Sequence, residues 1–250
     1  MKKKIIALIL GIIGIVLLIF VGNHIYELYV YNNGWSGRYH NTRPSDGQIR
    51  VVCVGDSITY GHSVEDWEKN NYPVVLQNLL GDAYHVANYG SSGACVNPDG
   101  DAPYIQRKAY ERSLMYDADI LIFMLGSNDA KPQNWVDAET FITDYKELLD
   151  TYLQGDHPPK VYLGLCAKAY DIDGKEDGLA EYNIQPEVVD EIVKAIQDTA
   201  SEWEVDVEIL DVYRLTEAHP EWFERDGIHP NKDGAKAIAE LAAEAITSKQ

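Results

Sequence analysis

The chain has 250 residues, 46% of them hydrophobic, and a formal net charge of −19. That length and apolar content suit one sizeable core, or two small ones. So acidic a chain lacks the Lys and Arg surface that phosphates attract, which excludes nucleic acid and docking on anionic headgroups. Three cysteines, Cys53, Cys95 and Cys166, form an odd set without CxxC spacing. Cys53 and Cys166 sit in apolar runs, so the set reads as small buried hydrophobes, with no disulfide framework.

Residues 1–4 are basic, and 5–22 form an unbroken apolar stretch of 18 residues. A signal anchor, a transmembrane helix within 1–22, is expected to stay attached, since no Ala-x-Ala site follows. Removal as a cleaved signal peptide, with secretion, is the other reading. The lysines before the span place the N-terminus in the cytoplasm and the rest of the chain outside. Residues 23–48 are polar and aromatic, with turn sequences such as Asn-Asn-Gly, and read as an extracytoplasmic stalk.

From 49 to 250 the pattern is regular and one domain is expected. A strand over 49–54 is followed by a helix over 72–80, ended by Gly81, and a strand over 84–89. A helix over 105–116 precedes an all-apolar strand over 120–125. A helix over 138–153, a strand over 161–166 and a helix over 186–203 follow, the last with Pro in its first turn. A short strand over 207–210 and an Ala-rich helix over 231–247 complete the series. Strands alternating with helices imply right-handed crossovers and a parallel sheet covered on both faces. Continuous apolar strands are what such a sheet needs.

The first strand stops at Gly55-Asp56-Ser57. Open α/β sheets build their sites at the carboxyl ends of strands, which makes Ser57 a candidate nucleophile. Asp226 and His229 stand three apart in a turn before the last helix. There a carboxylate can hold one imidazole nitrogen and leave the other to take a proton. Taken alone, the same turn also reads as a helix cap with a surface histidine. Leu125-Gly126-Ser127-Asn128-Asp129 follows the third strand, so the Asn128 amide falls at the edge where Ser57 lies. Asn88-Tyr89-Gly90-Ser91-Ser92-Gly93 follows the second, where a glycine lets a backbone N–H approach a substrate. With the Ser57 N–H these are candidate donors to a developing oxyanion. Taken singly, either loop also reads as just a turn.

Gly55-Asp56-Ser57-Ile58-Thr59-x-Gly61, Asn88 to Gly93, Gly126-x-Asn128-Asp129 and Asp226-x-x-His229-Pro230 resemble, in order, the four sequence blocks of the SGNH hydrolases, also called GDSL esterases/lipases. The resemblance covers roughly residues 49–248. It implies a three-layer α/β/α sandwich, flavodoxin-like, with a five-stranded parallel sheet. It implies carboxylic ester hydrolysis with Ser57 as nucleophile, His229 as general base and Asp226 as its orienting partner. Ser57 N–H, Gly93 N–H and Asn128 would form the oxyanion hole, with Gly90 the alternative to Gly93. Asp56 would support the nucleophile turn.

The acidic segment 171–178 fails as a calcium loop, because Lys175 holds the fifth ligand position and Tyr182 the twelfth. It reads as a solvated excursion between strand and helix, or as a segment that rims the site. No metal or cofactor is expected. Trp135, Trp222 and Phe223 are candidates to line the cleft. The expected substrates are carbohydrate O-acetyl or short acyl esters, as small molecules or on polysaccharide. An O-acyltransferase would use the same residues with a sugar hydroxyl replacing water. A non-catalytic surface glycan-binding protein is the reading from outside enzymology.

Overall fold

A computed structural model describes residues 11–22, 43–170, 181–203 and 207–248. Five parallel strands form one sheet: β1 (Ile49–Gly55), β2 (Tyr84–Gly90), β3 (Ile120–Met124), β4 (Lys160–Gly164) and β5 (Val207–Leu210), in the order β2-β1-β3-β4-β5. The helices that matter are α1 (Tyr72–Leu80), α2 (Lys108–Leu114), α3 (Ala138–Asp150), α4 (Pro186–Thr199), α5 (Val212–Glu217) and α6 (Lys232–Thr247).

The strands are apolar throughout because both faces are covered. Val52 and Val54 face one core, together with Phe141 and Tyr145 of α3 and Ile192 of α4. Val51 and Cys53 face the other, with Leu76 of α1 and Ile238 and Ala242 of α6. Successive side chains leave opposite faces of a strand, so β1 feeds both layers. Each fully buried aliphatic side chain contributes about 1.5–3 kcal/mol. This is the three-layer sandwich expected. The three cysteines are buried and free.

Helix boundaries follow local chemistry. Asn71 caps α1 by accepting the Val74 N–H at 3.2 Å, and Asp137 caps α3 through the Thr140 N–H at 2.8 Å. Three helices are shorter than their patterns predict: the 138–153 stretch ends as an α-helix at Asp150, and two others break. The 105–116 stretch is interrupted at Arg107, whose extended backbone (φ −92, ψ 147) separates a 3-10 turn, Tyr104–Gln106, from α2. The 186–203 stretch leaves the α conformation after Thr199 and ends in another 3-10 turn.

Among the described residues no helix is long and apolar enough to cross a membrane. The expected span is described only over residues 11–22, which are helical and expose Leu18 and Phe20. Residues 1–10 and most of the stalk lie outside the described residues.

The strand order brings the site together. The chain leaves β1 for β2 on one side and later returns to β3 on the other. The loops after β1 and β3 therefore diverge and open a crevice at the carboxyl edge, the usual place for a ligand in such sheets. Gly55 pairs with both Gly90 and Met124, so the three strands end level.

Candidate active site

Ser57 opens a single helical turn, Ser57–Tyr60, at the end of β1. Asp56 caps that turn by accepting the Ile58 N–H at 2.9 Å. The end of β2 is pressed against the turn: a Cβ on Gly90 would lie 2.1 Å from the Tyr60 nitrogen, so only glycine fits there. Asn88 ties the two together. Its amide donates to the Thr59 carbonyl at 2.9 Å, and its Oδ1 accepts the Gly90 N–H at 2.9 Å.

Asp226 and His229 lie in a tight turn closed by Glu224 N–H donating to the His229 carbonyl at 2.8 Å. Asp226 Oδ1 accepts the backbone N–H groups of Ile228 and His229, each at 2.9 Å. Its Oδ2 meets His229 Nδ1 at 2.6 Å, and His229 Nε2 meets Ser57 Oγ at 2.8 Å. Burial pushes the Asp226 carboxyl up, but the imidazole and the two backbone donors outweigh it and hold the group down at about 2. The capping role that the turn could also have served falls to Asn231, which accepts from Asp233 and Gly234 N–H. That leaves Asp226 for the histidine.

A pocket of about 250 Å³ opens over Ser57 and His229, with Gly93 and Asn128 in its wall. The two glycine alternatives separate here. The Gly90 N–H is already spent on Asn88, whereas Gly93 lines the pocket in a left-handed conformation (φ 78). Among the described residues, neither the Gly93 nor the Ser57 N–H has a hydrogen-bond acceptor in the protein. Asn128 Nδ2 leans toward Asp56 Oδ2 at 3.4 Å, which aims the amide beside Ser57. The edge can therefore pass a proton from Ser57 to His229 and meet a new negative charge with three N–H groups.

Asp129 carries a structural role that its motif did not announce. Its buried carboxylate accepts the N–H groups of Val96 and Asn97, each at 2.9 Å, and so clasps the loop that carries Gly93. Burial pushes this carboxyl up to about 7 against those donors.

The aromatic candidates fall elsewhere. Trp135 packs against Phe141, with ring centroids 6.3 Å apart, in the core under α3. Trp222 stacks on His219 at 3.7 Å and faces a groove along α6. Phe223 is buried against Tyr170. The pocket wall instead takes His62, Lys131, Tyr182, Ile184 and Ile228. Ile228 was findable inside the Asp-His turn, whereas His62 and Tyr182 carry no motif that singles them out. The acidic segment 171–178 lies outside the described residues.

The fold and this edge define an α/β protein with a serine-hydrolase arrangement at the carboxyl ends of its strands. Residues 53–237 match the GDSL-like lipase/acylhydrolase family, and the chain belongs to it, within the SGNH hydrolases. An acetylxylan esterase of Xylanibacter ruminicola is 34% identical over 214 residues, which is 81% of this chain but 44% of that protein. The chain thus spans less than half the length of that relative. A carbohydrate acetylesterase from Sinorhizobium meliloti has the same fold, with a TM-score of 0.63 at 19% identity over 81% of this chain and 100% of its own. An aryl esterase of M. smegmatis also shares it, with a TM-score of 0.64 at 19% identity over 80% of this chain and 99% of its own.

Proposed function

We propose that this chain hydrolyses short acyl esters, foremost O-acetyl groups on carbohydrate. The observation that carries the reading is the Asp226–His229–Ser57 chain, with contacts of 2.6 and 2.8 Å, inside one pocket with Gly93 and Asn128. Ser57 Oγ attacks the ester carbonyl while His229 Nε2 takes its proton. The Asp226 carboxylate holds the imidazole in the right tautomer and stabilises its charged form. The N–H groups of Ser57 and Gly93 and the Asn128 amide meet the oxyanion. Collapse breaks the C–O bond, and His229 hands its proton to the leaving alcohol. Water then attacks the acyl-Ser57, again giving a proton to His229. The second collapse frees the carboxylic acid and returns the proton to Ser57.

The carbohydrate preference is supported by the 34% identity to an acetylxylan esterase. The test is acetate release from acetylated xylan and turnover of 4-nitrophenyl acetate by the full-length chain and by Ser57→Ala. The substitution is expected to lower kcat by about 10⁴-fold or more. Equal rates in the two proteins would sink the assignment.

The same proposal extends to location. The basic residues 2–4 and apolar residues 5–22 would anchor the chain, with the catalytic domain outside the cytoplasm. The exposure of Leu18 (74%) and Phe20 (72%) supports this, since water is a poor environment for such a surface. Carbonate extraction of membranes tests it: an anchored chain stays in the pellet, and a supernatant chain contradicts the reading.

A further inference from the structure

His62 has no part in the proton chain, yet it shares the pocket with Ser57 and His229. Its placement is fixed by the nucleophile turn. The N–H groups of Gly61 and His62 both donate to the Ser57 carbonyl at 2.9 Å, so His62 rides on the turn that carries the hydroxyl. Its ring lies beside that of His229, centroids 4.6 Å apart and planes 52° apart. The ring is half-buried, and among the described residues neither of its nitrogens hydrogen-bonds the protein. Its nitrogens stay open to the pocket, so a donor and an acceptor stand beside His229 where a group of the bound substrate can meet them.

The side of the substrate follows from the chemistry. The leaving oxygen must reach His229 Nε2 to recover its proton, so the alcohol lies against the His229 ring. His62 flanks that ring on the turn side, and Tyr182 stands edge-on to it at 5.7 Å. Burial and the neighbouring His229 both push His62 toward its neutral form, with Asp226 opposing. A neutral imidazole offers one donor and one acceptor, the complement of a hydroxyl, which also has both.

We infer that His62 is a specificity-determining residue that hydrogen-bonds a hydroxyl neighbouring the esterified oxygen, selecting polyhydroxylated alcohols over simple ones. This inference rests on the carbohydrate-ester reading and names the group that would recognise the sugar. A site built to pair a substrate hydroxyl discriminates strongly against an analogue lacking it, because its own polar group is then left unpaired.

The test uses the full-length protein, His62→Ala and His62→Gln. Three substrates are compared: a mono-acetylated methyl xyloside, its analogue without the neighbouring hydroxyl, and 4-nitrophenyl acetate. The loss of kcat/KM in His62→Ala on the xyloside is expected to exceed its loss on 4-nitrophenyl acetate by about 10-fold or more, mainly through KM. Removing the substrate hydroxyl should cost the wild type a similar factor and cost His62→Ala little more. His62→Gln, which keeps a donor and an acceptor, should recover part of the loss. Equal losses on all three substrates would overturn the inference, since His62 would then be acting on His229. No loss on any substrate overturns it as well. Wild-type turnover of 4-nitrophenyl acetate without turnover of the xyloside overturns it while ester hydrolysis stands. Inactivity on all three removes the hydrolase reading and this inference together.

Discussion

The carboxylate of Asp129 accepts the backbone N–H of Asn97 at 2.9 Å, and through that bond the loop after β3 holds the loop after β2. Gly93 belongs to the held loop and Asn128 to the holding one. Asp129→Asn keeps the size and one acceptor oxygen, but sets an N–H₂ where Oδ2 now accepts the Val96 N–H at 3.0 Å, so the clasp is weakened rather than removed. The expected result is a stability loss of about 1–3 kcal/mol, read as a lower midpoint in denaturant. At temperatures where the variant is still folded, kcat on 4-nitrophenyl acetate should fall more than KM changes. A variant with lost stability and wild-type kcat would show that the clasp serves the fold alone.

Asp226 lends itself to a pH experiment. Its carboxyl is held at about 2 in the folded protein, below the ordinary value of 3.8. The folded state therefore favours the ionised form. The stability this contributes is present above about pH 4 and is lost as pH falls toward 2. Asp226→Asn should flatten that part of the stability curve, measured by thermal unfolding between pH 2.5 and 5. In the same variant the amide can present the wrong polarity to His229 Nδ1, and kcat should drop by about 10³–10⁴-fold. An unchanged kcat would exclude Asp226 as the orienting group.

The two glycines of the loop after β2 should fail in different ways. Gly90→Ala places a methyl 2.1 Å from the Tyr60 nitrogen, where backbone must move. It should cost at least the 1–3 kcal/mol typical of overpacking, about that much or more, and reduce soluble yield. Gly93 lines the pocket at a φ of 78, so Gly93→Ala should cost about 1 kcal/mol of backbone strain, less than Gly90→Ala, and lower kcat beyond what that loss explains. Melting curves and initial rates on the two proteins separate the roles, and an inverted pattern would return the oxyanion N–H to Gly90.

Trp135→Ala should weaken packing on Phe141 and leave chemistry alone. Trp135 is partly buried, so the loss should be about 2 kcal/mol, short of the 3–5 of a fully buried aromatic. KM for acetylated substrates is expected to match the wild type, and a raised KM would restore Trp135 to the cleft.

Much of the fold was legible because the sheet is buried on both faces: runs such as Ile120–Met124 can be little else than inner strands. That Ser57, Asn128, Asp226 and His229 meet at one edge was legible because each stands in a short block at a strand end or before a helix. Gly93 was not separable from Gly90 in sequence, since the difference lies in the Asn88 side chain consuming one N–H. The break at Arg107 was hidden because helical spacing continues through it while the backbone does not. Trp135 misled because six residues past Asp129 the chain has already turned down onto α3. His62 and Tyr182 reach the pocket by tertiary placement, which no local pattern encodes.

The hydrogen bond between Ser57 and His229 joins residues 172 apart in the chain. At 5–20 residues per second of synthesis, Ser57 would wait roughly 10–30 s for the histidine proposed as its base. A nascent chain with β1 through β5 already made still carries an unactivated hydroxyl. On the proposed mechanism, competence would arrive as one of the last events of maturation, when α6 docks beside α1 and carries the Asp226 turn to the edge. Any burst of acyl-ester cleavage during biogenesis would report finished molecules rather than partial ones.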